Sequence, residues 1–351
     1  MASVVPPALA EDDTPSHSGI FAAEFTEKSP YADPRIIAKR MHLRPGTELP
    51  EYDVADHAFQ LVVPEAYDGT EAYGLLVFIH PNNDVSLERF FGRTIKGVLD
   101  KHKLIWVSFA DAGNPVMSNI RLGLALDAAH NAQQRYRIDE KRVYVSGLSG
   151  GGRMSCMAGV YYPDVFTGVI PIVGTLYFRD AKLPEDPALR DLIRPVPKAE
   201  NSIWPQSLVE PGAKQLREMK KHQRWALLAG EKDYNMPQMR AHFEQGFEKD
   251  GFEHAHYLEV PGMGHVYPDA KWFEKAVVLL DKPLAKQDPA DLPPADERTQ
   301  RLAQRRLEVA LRALERDRER GVRALERLVD ELPNTDAAQQ AREKLQALAR
   351  E

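Results

Sequence analysis

Residues 143–155 read VYVSGLSGGGRMS, and within them the chain changes character. The run from Val143 to Leu148 is apolar enough for a buried strand, and the residues after Gly150 read as helix. Between the two, Ser149 is hemmed in by Gly147, Gly150, Gly151 and Gly152. Two readings fit. A tight turn needs small residues for steric reasons alone. A strand–turn–helix elbow uses the same small residues to hold a serine in strained geometry with its hydroxyl exposed. Gly147 to Gly151 fits G-x-S-x-G, a weak pattern by itself. Its position, ending a strand and opening a helix, makes it more specific. The amides that begin such a helix favour a developing oxyanion.

A serine hydroxyl is a poor nucleophile unless a base takes its proton. In the elbow setting the chain order is serine, then acid, then histidine. PGMGHVYPD, residues 261–269, supplies His265 in a glycine-flanked loop just past an apolar run that ends near Val260. WALLAGEKDYN, residues 225–235, supplies Asp233 just beyond the preceding run. Glu231, two residues away, is a second carboxylate able to orient an imidazole, and Asp233 is favoured because it lies farther into the loop. The three candidates thus fall at the ends of three strands, at the sheet edge where open parallel sheets bind ligands. Each also has a plainer reading, as a turn serine, a surface histidine or a loop carboxylate. His254 and His256 form an H-x-H whose side chains would share one strand face. With no third ligand beside them, exposed strand histidines are the simpler account.

The elbow sits in a longer alternation. Strand-like runs fall at 58–63, 74–80, 104–110, 142–148, 167–173, 224–229 and 256–260. Helix-like stretches lie between many of them, at 85–100, 120–136, 150–161, 237–249 and 269–280. This predicts an α/β fold, a mostly parallel sheet with helices on both faces. Residues 1–50 read as a polar N-terminal arm with one short helix near 34–41, and 51–281 as the main domain. Within it, 175–223 is too long for a simple crossover and reads as a cap-like insertion or an ordinary surface excursion. Residues 282–295 form a Pro- and Asp-rich linker. From 296 to 351 leucines and alanines recur at helical spacing amid dense charge, a small all-α unit.

The totals narrow the function classes. The 351 residues are 43% hydrophobic, enough for a sizeable core, and the formal net charge of −6 argues against a general nucleic-acid binder. Cys156 is the single cysteine, so no intrachain disulfide forms. No apolar run approaches the ~18 residues of a membrane span. The opening MASVVPPALAEDD is no working signal peptide as written, although ALA before acidic residues suits the stub of a removed one. Export and a cytoplasmic location both stay open.

Residues 135–174, RYRIDEKRVYVSGLSGGGRMSCMAGVYYPDVFTGVIPIVG, resemble the α/β-hydrolase esterases of the polyhydroxybutyrate-depolymerase and feruloyl-esterase type. The Tyr-x-Ile-Asp lead-in, the elbow and YPDVF after the helix match, and GEKDYN and GMGH stand where that family has its acid and histidine. The resemblance spans 56–281 and leaves out both ends. It implies an α/β-hydrolase fold and a carboxylester hydrolase with Ser149 as nucleophile, His265 as base and Asp233 as its orienter. One departure stands out. Such esterases carry His-Gly after the early strand, whereas VFIHPNND puts Pro81 at the glycine position. Proline has no N–H, so the oxyanion hole would use the amides of Asn82 and Gly150. Residues 324–348, ALERLVDELPNTDAAQQAREKLQAL, also resemble one tetratricopeptide-type helix pair. A single pair cannot bury its own face, so it must pack on the main domain, on another copy or on a partner, and self-association or a protein partner through 296–351 stays open.

The mechanism implied needs no metal or organic cofactor, and its substrate is a small or polymeric ester. Trp204 and Tyr177 are candidates for an apolar wall in the insertion, or for core. Arg153, one turn into the helix after Ser149, is structural or meets an acidic substrate group. Two alternatives carry forward: a serine peptidase on the same three residues, and a catalytically silent binding module whose C-terminal helices mediate interactions.

Overall fold

The computed structural model describes residues 18–83, 92–182, 207–284 and 295–348. It divides into two compact units after Leu284.

In the first unit, strands β2 (Phe59–Val63), β3 (Tyr73–Ile79), β4 (Leu104–Phe109), β5 (Ile138–Leu148), β6 (Gly168–Ile172), β7 (Arg224–Gly230) and β8 (Ala255–Val260) coincide with the seven strand-like runs. Every residue of β3, β4, β6 and β7 is buried. That is what continuous apolar runs mean in a sheet covered on both faces. Side chains alternate across it: Leu75, Val77 and Ile79 of β3 enter one core, Leu76 and Phe78 the other. The first core is closed by α3 (Ser118–Arg135) and α4 (Gly150–Tyr161) through residues such as Leu122, Ala125, Met154 and Met157. The second is closed by α2 (Gly92–Lys101) and α7 (Ala270–Asp281) through Ile95, Leu99, Phe273 and Val277.

With β1 at Gly19–Ala23, the eight-stranded order is β1-β2-β4-β3-β5-β6-β7-β8. Strands β4, β3, β5, β6, β7 and β8 run parallel, β2 pairs antiparallel to β4, and β1 pairs antiparallel to β2 at the edge. This is the α/β-hydrolase architecture. Because these six neighbouring strands are paired in parallel, the loops after β3, β5, β7 and β8 open along one edge.

Residues 18–50 depart from the expected loose arm. Besides α1 (Pro34–Arg40) they supply β1 (Gly19–Ala23), paired from Gly19↔Val63 to Ala23↔Phe59. Phe25 is buried just after it. Polar ties hold the segment: the Ser29 amide donates to Asp127 Oδ1 at 2.7 Å, and Asn131 Nδ2 donates to the Glu27 carbonyl at 2.6 Å. A five-residue edge strand with mostly exposed or half-buried positions has little apolar signal, and its anchors lie about a hundred residues away on α3.

Of the insertion, 183–206 lie outside the described residues. Beyond it come α5 (Ala213–His222) and α6 (Met236–His242), which continues as a π-helical turn over Phe243–Glu248. Residues 285–294 of the linker likewise lie outside.

The second unit is three helices: α8 (Glu297–Arg316), α9 (Arg318–Glu331) and α10 (Asp336–Leu348). Asp296 and Asp317 cap the first two, accepting from the Thr299 and Arg320 amides. The first break falls at Asp317, ahead of Gly321, which lies inside α9. Ala303, Leu307, Ala310, Leu325, Leu328, Ala337 and Ala341 form a small core of its own.

Candidate active site

Ser149 has φ 56° and ψ −114°, a conformation most side chains avoid. Holding it costs about 1–3 kcal/mol, so the surroundings must over-determine it. The Ser149 amide donates to the Ile172 carbonyl of β6 at 2.8 Å, and its own carbonyl accepts the Arg153 amide at 3.0 Å, which starts α4. A Cβ on Gly151 would lie 1.9 Å from the Ile79 carbonyl oxygen, and one on Gly150 would lie 1.9 Å from Asn114 Oδ1. The first contact is with backbone of the neighbouring strand and cannot yield. The glycines therefore let a helix start directly against β3. The first amides of α4 lie beside Ser149 with no carbonyl of their own helix to bond.

β7 and β8 pair in parallel up to Gly230↔Val260, so their following loops face each other. His265 Nε2 lies 2.9 Å from Ser149 Oγ, and its Nδ1 lies 2.7 Å from Asp233 Oδ2. An imidazole protonated on Nδ1 donates to the carboxylate and accepts the serine proton on Nε2. The Asp233 side chain is fully buried, and its other oxygen accepts the Asn235 amide at 2.5 Å. His265 is 24% exposed and stacks on the Tyr234 ring at 4.3 Å between centroids. Glu231 is engaged elsewhere: it accepts the Gly262 amide at 2.6 Å, tying the histidine loop to the acid loop. Sequence favoured Asp233 with Glu231 as the alternative. The structure brings Asp233, and not Glu231, to the imidazole.

The loop after β3 is pinned from behind. Arg121, fully buried on α3, donates from Nη2 to the His80 carbonyl at 2.7 Å and from Nη1 to Asn114 Oδ1 at 3.4 Å. Burial lowers the basicity of that guanidinium. The Asn114 amide donates to the Pro81 carbonyl at 2.8 Å, and the Gly113 amide donates to Asn83 Oδ1 at 2.8 Å. Asn82 itself is exposed. Asn114 thus touches both the Pro81 loop and the Cα of Gly150, the two places expected to supply oxyanion amides. Sequence reasoning missed Asn114 and Arg121. The available signal was an arginine within the apolar face of α3.

The expected substrate contacts fare differently. Tyr177 is 1% exposed, stacks on Phe178 with 4.1 Å between centroids, sits 4.6 Å from Phe247, and donates to Asp250 Oδ2 at 2.7 Å. It is core and not a pocket wall, because aromatics of the later π-helical turn close over it. Arg153 is buried, with Nη2 3.5 Å from Asn235 Oδ1, and Asn235 Nδ2 donates to the Val173 carbonyl at 2.8 Å. It stands behind the acid loop. Trp204 lies outside the described residues. Thr175 Oγ1 and His242 Nδ1, 2.8 Å apart, were also missed. Burial and the Arg153 charge push His242 down to about 4. His254 and His256 are half-buried, and burial lowers both. Among the described residues no group of three or more His, Cys, Asp or Glu side chains is arranged to hold a metal, and no helix is long and apolar enough to cross a membrane.

Comparison with known proteins places the chain more broadly. A family model described as the prolyl oligopeptidase family matches residues 108–284, just over half of the sequence. The matched span contains Ser149, Asp233 and His265 and leaves out the Pro81 loop and the C-terminal helices. The poly(3-hydroxyalkanoate) depolymerase C of Paucimonas lemoignei is 47% identical over 47 residues, 13% of this chain and 11% of that protein. The chain therefore spans only about a tenth of that relative's length. Among solved structures, a ferulic acid esterase is 14% identical over 74% of this chain and 96% of its own, with TM-score 0.48. Thermogutta terrifontis esterase 2, phosphonylated by sarin, is 14% identical over 69% and 95%, also with TM-score 0.48. The chain has the α/β-hydrolase fold, and it belongs to the prolyl oligopeptidase family.

Proposed function

We propose that this protein is a serine carboxylester hydrolase of the polyhydroxybutyrate-depolymerase and feruloyl-esterase type, acting through an acyl-enzyme on Ser149. The observation that carries the reading is the unbroken path from Ser149 Oγ to His265 Nε2, 2.9 Å, and from His265 Nδ1 to Asp233 Oδ2, 2.7 Å. It starts at a serine held in the strained backbone of an elbow. His265 takes the hydroxyl proton as Ser149 Oγ attacks the ester carbonyl carbon. The amides of Gly150 and Asn82 stabilise the oxyanion. Buried Asp233 keeps Nδ1 protonated and stabilises the imidazolium. As the tetrahedral carbon collapses, the ester C–O bond breaks and His265 gives its proton to the departing alcohol. Water, deprotonated by His265, then attacks the acyl-enzyme, and the acid leaves with Ser149 restored.

The short stretch shared with a protein named as a polyester depolymerase supports the ester reading. A second reading, peptide bond cleavage on the same three residues, is supported by the prolyl oligopeptidase family match. Initial rates on p-nitrophenyl acetate, butyrate and octanoate, beside matched p-nitroanilides, separate the two. Ester turnover should exceed anilide turnover, Ser149→Ala should fall to background, and Asp233→Asn should lose about 10³–10⁴-fold in kcat. A folded Ser149→Ala protein that keeps the wild-type rate defeats both readings. Anilide turnover above ester turnover leaves the peptidase.

A further inference from the structure

The charge on the C-terminal unit is segregated. Helices α8 and α9 frame a groove of about 840 Å³ lined, among the described residues, by seven arginines and a single acid, Asp317. Arg305, Arg312 and Arg316 follow one another at i, i+7 and i+11 on α8, and Arg320, Arg323 and Arg327 at i, i+3 and i+7 on α9, each set along one helix face. Asp317 is already engaged, accepting the Arg320 amide at 3.0 Å as a helix cap. Glu308 and Glu319 pair with Arg312 and Arg323, but neither lines the groove. Arg305, Arg316, Arg320 and Arg327 make no ion pair among the described residues. The floor is apolar: Ala310 and Leu328 are buried, and Val309 is 65% exposed.

A solvated helix face interleaves its signs, as Glu297 and Arg301 do at the start of α8. Arginines stacked at these spacings repel one another, a cost that a facing acid removes. We propose that this groove binds an acidic amphipathic helix of a protein partner, its carboxylates on the guanidiniums and its apolar side chains over Val309. Arginine suits that pairing because its fork grips a carboxylate through two N–H groups. A single-stranded nucleic acid fits less well. It needs aromatic platforms for its bases, and residues 285–351 contain no aromatic side chain, while the whole chain carries a net charge of −6. The proposal does not depend on the esterase reading.

The test uses the full chain and a fluorescein-labelled peptide of about 18 residues with Glu and Leu at helical spacing, roughly the length of α8. Fluorescence anisotropy is read for wild type and for the double variant Arg316→Glu with Arg320→Glu. A second double variant, Arg320→Gln with Arg327→Gln, guards against local unfolding, and circular dichroism checks both. Binding should weaken at least about tenfold in either variant, and about tenfold when the peptide leucines become serines. Absence of peptide binding, equal binding by the variants, or equal binding of the serine peptide overturns the proposal. So does tighter binding of oligothymidylate, which points to nucleic acid. Self-association abolished by the same substitutions without peptide binding points to a second copy of this chain.

Discussion

The Ser149 turn and the His80–Asn83 loop end neighbouring strands, with Ile79 of β3 paired to Gly147 of β5. They are held in place by different means. The Ser149 turn is set by backbone against backbone: its amide on Ile172, its following glycine pressed on Ile79. The His80–Asn83 loop is set by polar side-chain ties, Arg121 reaching in to the His80 carbonyl and Asn83 reaching out to the Gly113 amide, with Asn114 between. A turn fixed by contact has no slack, so it fails all at once. A loop fixed by polar ties can lose one tie and shift by a fraction of an ångström. The same site therefore has one part that tolerates nothing and another that is tunable, and the tunable part is where Pro81 stands.

The largest effect should come from breaking the contact. Gly151→Ala sets a methyl 1.9 Å from a carbonyl oxygen at the centre of the sheet. Neither β3 nor α4 can move without repacking a core, so a loss above about 4 kcal/mol is expected, with turnover gone. Thermal melting of purified protein checks it. A variant that melts with wild type shows that the turn has slack after all, and the comparison collapses.

Loosening the loop should look different. Arg121→Met removes the donor to His80 and Asn114 but also removes a desolvated charge, so its stability change should stay within about 1–2 kcal/mol. Asn114→Ala leaves the backbone bond to Pro81 and takes away the side chain against Gly150. For both, kcat on p-nitrophenyl acetate should fall by about 10–100-fold with KM changed little, because a misplaced oxyanion donor weakens only the transition state. A parallel rise in KM with kcat unchanged would assign these residues to substrate binding.

This difference in restraint also explains what the sequence could reveal. Strands β3, β4, β6 and β7 stand out because strands buried on both faces are unbroken apolar runs, whereas β1, with Gly19, Ile20 and Phe21 only partly covered or exposed, does not. Ser149 and His265 sit in local glycine-rich patterns whose spacing is itself the message. The choice between Asp233 and Glu231 was closer, because it turns on how the loop closes against Gly262. Arg121, Asn114 and the burial of Tyr177 depend on partners tens of residues away, and no local pattern records them. Tyr177 shows the hazard: an aromatic in a long insertion suggests a pocket, yet Phe247 and Phe252 bury it.

A smaller effect separates the polar anchors by pH. Burial pushes Asp127 from 3.8 up to about 6, against the pull of its bonds from Tyr52 and Ser29. Its contribution to stability is full below about 4 and lost as pH rises through about 6. His242 is pushed from 6.5 down to about 4, so its contribution is full above about 6.5 and lost as pH falls through about 4. The two slopes oppose each other across one window. Asp127→Asn removes the first and should make the protein lose stability faster than wild type between pH 6 and 4, by about 2–3 kcal/mol in total. Denaturant midpoints at several pH values give the slopes. Parallel curves would show that Asp127 keeps an ordinary carboxyl in the folded state.

The smallest effect bears on the site's most ambiguous pair. Glu231→Gln keeps an oxygen for the Gly262 amide and leaves the buried Asp233 on His265 untouched. Only a charge-assisted bond on an exposed loop weakens, worth about 1 kcal/mol or less, so kcat should stay within about threefold of wild type. Set beside the loss expected of Asp233→Asn, this ratio measures how much of the histidine's orientation comes from the buried carboxylate and how much from the loop around it. Comparable losses would mean that the Gly262 tie positions His265 as strongly as Asp233 does. The acid loop would then belong with the tunable half of the site, and only the Ser149 turn would remain rigid by contact.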